Sequence, residues 1–259
     1  MRLHRFYIRE DIGSKKQVTI DSAELANQIR RVFRLRSGDG LIIFNGTGFD
    51  YECKIDGFGE SDKIKGDNTI ILSIISSVPS RFVPKGKLYL CSAIVKKDTF
   101  EWVVQKATEL GVTDIIPMSA IRSEKKNLNV ERLNKIAVEA SEQSGRGDVP
   151  VIHDIMGVGD AVSFLRAEKA DLLVFDTEGE RFGRGSTAGK SGAKNSGQNI
   201  GESDAQNAKL GVFIGPEGGW APEELAMFHE ECITVCSLGS QVLRAETAVI
   251  SALSMVVFS

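Results

Sequence analysis

From position 87 onward the chain alternates short apolar runs with amphipathic stretches, and no other feature constrains its fold as strongly. The runs 87–95, 112–118, 171–175, 210–214 and 233–237 read as strands. Between and after them, 100–110, 130–144, 158–168, 223–231 and 245–258 read as helices, with Ile136, Ala137 and Ala140 on one face of the second. Gly111 closes the first of these helices. Strands alternating with helices in this way predict a mostly parallel sheet covered on both faces, an α/β domain.

The first eighty residues follow another rhythm. Strand-like pieces at 5–8, 17–20, 41–44, 51–55 and 69–75 are short, and Asn45-Gly46-Thr47-Gly48 between two of them is a hairpin turn. Asp21-Ser22-Ala23-Glu24 caps a helix expected to run to about Arg34. This pattern predicts a small β-barrel. Pro79 and Pro84 bracket a polar link, so two domains are expected, 1–78 and 79–259. Residues 181–209 consist mainly of Gly, Ser, Asn, Gln, Lys and Ala, which bury too little surface to order themselves; a flexible insertion is expected there.

Composition excludes several classes. Hydrophobic content of 42% and charged content of 26% are those of a soluble globular protein. The run 248–258 is too short to span a bilayer, and residues 1–8 carry no signal-peptide core, so a cytoplasmic protein without membrane partners is expected. Cys53, Cys91, Cys232 and Cys236 form no Cys-x-x-Cys pair and the histidines lie elsewhere, which predicts neither a metal site nor a disulfide framework. The net charge of −3 conceals an asymmetry. Residues 1–36 hold nine Lys and Arg against four acidic residues, whereas 200–259 hold eight acidic residues against Lys209 and Arg244. The basic head is either a solvated face or a nucleic-acid platform.

Between the 210–214 strand and the next helix lies Gly215-Pro216-Glu217-Gly218-Gly219. Pro222-Glu223-Glu224 then opens the helix. A second glycine loop, Leu238-Gly239-Ser240-Gln241-Val242-Leu243, follows the 233–237 strand. In open α/β sheets ligands bind beyond the carboxyl ends of the strands, where both loops would lie. The chain has no Gly-x-x-x-x-Gly-Lys-Ser/Thr, and Gly157-Val158-Gly159 lacks the third glycine of a dinucleotide fingerprint. Glu217 would also repel a pyrophosphate. A carboxylate beside exposed amides suits a neutral or cationic ligand with hydrogen-bonding edges, and S-adenosylmethionine fits.

Ile214-Gly215-Pro216-Glu217-Gly218-Gly219 with Glu223-Glu224 resembles the cofactor motif of the SPOUT, or trefoil-knotted, methyltransferases. Three further stretches narrow the resemblance to the ribosomal small subunit methyltransferase E family, which methylates N3 of a uridine in 16S rRNA. They are 104–112 (VQKATELGV), 139–146 (EASEQSGR) and Leu238-Gly239 with 243–248 (LRAETA). The likeness also takes in 30–39 (RRVFRLRSGD) and so covers nearly the whole chain. The departures are Ser240-Gln241, where the family usually has Pro-Arg or Gly-Arg, Asn27 in place of a histidine, and a longer 181–209 insertion.

The resemblance implies a PUA-like barrel that binds RNA, followed by a deep-trefoil α/β domain, in a homodimer with the last helix in its interface. It implies S-adenosylmethionine held by Phe175, Ile214, Gly215, Pro216, Glu217, Gly218, Gly219, Leu238, Gly239 and Leu243. Arg5, Arg30, Arg31, Arg34 and Arg36 become the candidate contacts to 16S rRNA of the small ribosomal subunit. Uracil N3 is a poor nucleophile until its proton leaves, so the chemistry needs a cationic donor and a proton acceptor. Arg146 and Arg244 are the candidates for the first role and Glu142 for the second. Two other readings stay open: a ribosome-binding module without catalysis, and a Rossmann-type enzyme acting on a small molecule.

Overall fold

The computed structural model describes residues 3–61, 64–123, 127–182 and 208–258. The chain divides into two compact units, Met1–Val83 with Ser141–Val149, and Pro84–Ala140 with Pro150–Ser259. The division falls before Pro84 instead of Pro79, and the segment after residue 140 returns to the first unit.

The first unit contains β1 (Arg5–Tyr7), β2 (Gln17–Asp21), α1 (Ala23–Asn27), β3 (Gly40–Phe44), β4 (Phe49–Ser61) and β5 (Ile64–Pro79). Its sheet runs β1-β3-β4-β5-β2, with β1 parallel to β3 and the other neighbours antiparallel. All five strands feed one core that includes Phe6, Ile20, Ile43, Ile55 and Leu72, so the sheet curls around it. The Ser22 hydroxyl accepts from the Leu25 N–H at 3.2 Å and starts α1. The helix then changes character sooner than expected. After Asn27 it widens into a π-helical turn, Gln28–Val32, that keeps Phe33 in line with the buried Ile29 and turns Val32 out to solvent. Its end is closed by the Leu35 N–H bonding the Ile29 carbonyl at 3.0 Å, with Arg34 between them at a left-handed φ of 57°.

The second unit contains β6 (Lys87–Ala93), α2 (Lys97–Glu109), β7 (Asp114–Ser119), α3 (Val130–Ser144), β8 (Val151–Ile152), β9 (Met156–Gly157) and α4 (Val158–Ala167). It continues with β10 (Asp171–Arg181), β11 (Lys209–Ile214), α5 (Pro222–Glu230), β12 (Thr234–Ser237) and α6 (Ala245–Phe258). The last turn of α3 belongs to the first unit. The sheet order is β12-β10-β11-β6-β7-β8, with β9 also on β7, and every pairing is parallel. Apolar strands such as β11, with Val212, Phe213 and Ile214 buried, suit a sheet covered on both faces. The helix α6 packs on α2 and β11. Positions 183–207, the heart of the expected insertion, lie outside the described residues.

Because the strands are parallel, their amino ends share one edge and their carboxyl ends the other. On the amino edge Asp114, 4% exposed, accepts from Lys87 Nζ at 2.8 Å and bonds His153 Nε2 at 3.0 Å. Burial works to raise its pKa, but the bonds from His153, Lys87 and Thr113 outweigh it and hold the carboxyl below its ordinary value. Three of the four cysteines are buried and only Cys232 is exposed. Burial pushes the Cys53 thiol up to about 12 and, with Glu180 nearby, the Cys236 thiol up to about 11.

Candidate functional site

On the carboxyl edge residues 175–177 of β10 and the loops after β11 and β12 enclose a cavity of about 290 Å³, completed by Ala245 and Ala248 of α6. The ladder between β10 and β12 breaks its register between Phe175 and Glu180, which frees Asp176 and Thr177 to face the cavity. After β11 the chain makes a tight turn closed by the Gly219 N–H on the Pro216 carbonyl at 2.9 Å. Gly219 has a φ of 69°, a conformation that a residue with a Cβ adopts at a cost of about 1 kcal/mol.

Trp220 anchors this turn from behind. Its indole Nε1–H donates to the Phe175 carbonyl at 3.0 Å, and its ring meets Phe228 edge to face at 5.0 Å between centroids. A Cβ on Gly215 would come within 3.0–3.1 Å of that indole, so a side chain there would have to push the packed tryptophan aside by a few tenths of an ångström. One tryptophan thus fixes β10 at Phe175 against the glycine loop after β11. Sequence reading missed Trp220, although a large aromatic residue directly after Gly218-Gly219 was a usable signal.

All ten residues named for the cofactor, Phe175, Ile214, Gly215, Pro216, Glu217, Gly218, Gly219, Leu238, Gly239 and Leu243, line this one cavity. Asp176, Thr177 and Ser237 join them and were not anticipated, while Gln241 and Val242 come from the 238–243 loop expected at the ligand. The charge of the lining is one-sided. Asp176 and Glu217 contribute carboxylates, and the lining includes no Lys, Arg or His. Among the described residues no group of acidic, His and Cys side chains could hold a metal ion, and no helix is long and apolar enough to cross a membrane.

The other candidates separate into those near the cavity and those elsewhere. Arg244 is exposed and stands between two lining residues, Leu243 and Ala245, with its carbonyl taking the Ala248 N–H at 2.8 Å. Arg146 is 1% exposed and belongs to the first unit, where its guanidinium grips Asp148 through bonds of 2.9 and 2.8 Å. Glu142, in the same unit, takes the Tyr7 N–H on Oε1 at 2.9 Å. The Arg146 pair with Asp148 lies within the 141–149 segment, the Glu142 bond ties that segment to Tyr7, and neither residue is among those lining the cavity. A polar cluster at a helix end reads the same in sequence whether it does chemistry or anchors a chain.

Arg5, named for RNA, is buried in the first unit. Its guanidinium is paired with Asp50 at 2.6 and 3.0 Å, donates to the Ser141 and Arg146 carbonyls, and lies 4.3 Å over the Phe44 ring. With 7% of the side chain exposed it is a structural pair, and removing one partner of such a pair costs about 3–5 kcal/mol. Arg30, Arg31, Arg34 and Arg36 are exposed on or just beyond the π-helical turn, and the Arg30 guanidinium sits 4.8 Å over Phe58.

The model of the RNA methyltransferase domain matches residues 83–257, and that of the RNA methyltransferase PUA domain matches residues 24–58. The ribosomal RNA small subunit methyltransferase E of Rickettsia conorii is 30% identical over 99% of this chain and 96% of its own length. This chain belongs to the ribosomal RNA small subunit methyltransferase E family. The Bacillus subtilis member is 31% identical over 98% of this chain and 96% of its own. A Legionella pneumophila methyltransferase, solved with its cofactor SAM bound, shares the fold with a TM-score of 0.79 at 26% identity, over 99% of this chain and 97% of that one. Within the family frame, the four exposed arginines and the cavity fall under different models, since 24–58 contains the former and 83–257 the latter.

Proposed function

We propose that this chain is an S-adenosylmethionine-dependent methyltransferase that methylates N3 of a uridine in the 16S rRNA of the small ribosomal subunit. The observation that carries the cofactor is the lining of the cavity: two carboxylates, no cation, and a glycine turn offering backbone groups. A nucleotide pyrophosphate would face Asp176 and Glu217 with no Lys, Arg or His among the described lining residues, whereas a sulfonium and an ammonium are matched by the two carboxylates. Ile214, Leu238, Val242 and Leu243 offer apolar surface for a purine ring. When bound, the cofactor supplies an electrophilic methyl group. This favours the enzyme over the ribosome-binding module and over the Rossmann-type alternative.

The chain's own residues divide the remaining work. Arg244, next to the cavity and free of the burial that commits Arg146, is the group we assign to stabilise negative charge on a uracil imide. The exposed Arg30, Arg31, Arg34 and Arg36 are assigned to RNA phosphates. The names of the relatives support ribosomal RNA of the small subunit as the substrate. We assign a homodimer through α6, whose apolar surface leaves Val257 and Phe258 exposed at its end, and a cytoplasmic location, where ribosomal subunits are made.

Calorimetry tests the cofactor directly. S-adenosylmethionine is expected to bind one site per chain, and ATP and NAD are expected not to bind. Binding of either nucleotide in place of S-adenosylmethionine would overturn the reading.

A further inference from the structure

The glycine turn is fastened from a loop that neither the motif nor the cavity points to. Glu224, on the first turn of α5 and 6% exposed, uses both carboxylate oxygens. Oε2 accepts the Ala221 N–H at 2.8 Å, and Oε1 accepts the Ile121 N–H at 2.9 Å from the turn that follows β7. The buried carboxylate therefore ties the β7 turn to the segment that leaves the glycine loop. The next residue in that turn, Arg122, is exposed and donates from Nη1 to the Gly218 carbonyl at 2.9 Å. A Cβ on Gly218 would rest 3.4 Å from the Arg122 Cβ and 3.6 Å from its Cδ, so the arginine stem also lies along this peptide.

The Gly218–Gly219 peptide is thereby held at both ends. Its carbonyl is fixed by Arg122, and its N–H is fixed by the Pro216 carbonyl at 2.9 Å. Glu217, Gly218 and Gly219 all line the cavity, so the orientation of this one peptide plane shapes the wall that meets the ligand. An exposed arginine bonded to a carbonyl adds little to the stability of a fold. Its effect falls on which conformation the turn keeps.

We infer that Arg122 is a positioning residue for the cofactor: from the β7 turn it sets the Gly218–Gly219 peptide plane and so preorganises the cavity wall. The inference rests on the reading of the cavity as the S-adenosylmethionine site. Holding a loop in its bound form lowers the ordering cost of binding, so the residue acts on affinity without touching the reacting atoms.

The test uses the full chain with Arg122→Ala, Arg122→Gln, which keeps much of the stem, and Arg122→Lys, which restores a single donor. Hydrogen exchange of the peptide covering 215–221 reads the link without any cofactor. Faster exchange is expected in the Ala and Gln variants, with recovery in the Lys variant. Loss of one charged donor at an exposed site is expected to raise the KM for S-adenosylmethionine roughly three- to tenfold, with kcat at saturating cofactor and the melting temperature unchanged. Unchanged exchange in both Ala and Gln variants overturns the inference, and so does a KM equal to wild type. A fall in melting temperature that Lys does not reverse makes Arg122 a plain structural contact and overturns it too. If the wild type binds no S-adenosylmethionine, the reading of the cavity fails, while the exchange data still decide the link.

Discussion

Arg34→Gly should stabilise the protein and weaken its hold on RNA at the same time. Arg34 occupies the left-handed position that ends the helical segment, φ 57°, where glycine is the usual residue. An L side chain in that region costs about 1–2 kcal/mol. Glycine removes this strain but loses about 0.5–1 kcal/mol through its greater freedom in the unfolded chain. The net gain is roughly 0.5–1 kcal/mol, which at this chain length corresponds to a rise in melting temperature of about 1–3 °C. Keeping an arginine there at the expense of stability fits a side chain that contacts a phosphate. Filter binding of a small-subunit RNA fragment across a salt series should then give weaker binding, with the log–log salt slope reduced by about 0.7–0.9. Calorimetric melting supplies the other half. Stabilisation with unchanged RNA affinity and slope would refute the RNA role of Arg34, and destabilisation would refute the strain argument.

Asp176→Asn should weaken S-adenosylmethionine more than Glu217→Gln does, by about tenfold against a few-fold, since Asp176 is half-buried and Glu217 exposed; equal losses by calorimetry would contradict this ranking. Asp114 has a folded pKa below its unfolded value, so its contribution is complete above a pH of about 3.9 and is lost as the pH falls through the lower folded value. Asp114→Asn should therefore lower stability at pH 7 and flatten the acid limb of the stability curve, which urea melts between pH 2 and 7 would record. Ellman's reagent at neutral pH should titrate the exposed Cys232 quickly and leave the buried Cys53, Cys91 and Cys236 unreacted until the chain unfolds, and fast reaction of a second thiol would contradict their burial.

The second unit was the most legible part of the fold. Its strands are buried on both faces and appear as continuous apolar runs, and α3 and α6 begin and end where the sequence reading placed them. Strands β8 and β9, two residues each, have no period to detect. In the first unit β4 and β5 run well beyond the apolar alternation that revealed them, because hairpin pairing extends them through polar residues. The glycine turn was legible because backbone constraints select glycine, as at Gly219. Asp176 was hidden, since only the break in the β10 ladder turns it into the cavity. The burial of Arg5 and Arg146 was not legible, because charge is visible in a sequence and burial is not; Asp50, the partner of Arg5, lies 45 residues away in the chain.

The cavity on the carboxyl edge is assigned the transfer of a methyl group to small-subunit rRNA. The most direct measurement is transfer of tritiated methyl from S-adenosylmethionine to 16S rRNA, in free and subunit-assembled form, by the wild type and by Gly219→Val. A Cβ at that site meets no atom of the described residues within 4 Å, yet valine cannot hold a φ of 69° without strain, so its effect falls on the turn. The wild type is expected to label a uridine at N3, and the variant to lose at least tenfold in S-adenosylmethionine binding and transfer while it still folds and binds RNA. Absence of label with the wild type on both substrates, or undiminished transfer by Gly219→Val, would contradict the claim.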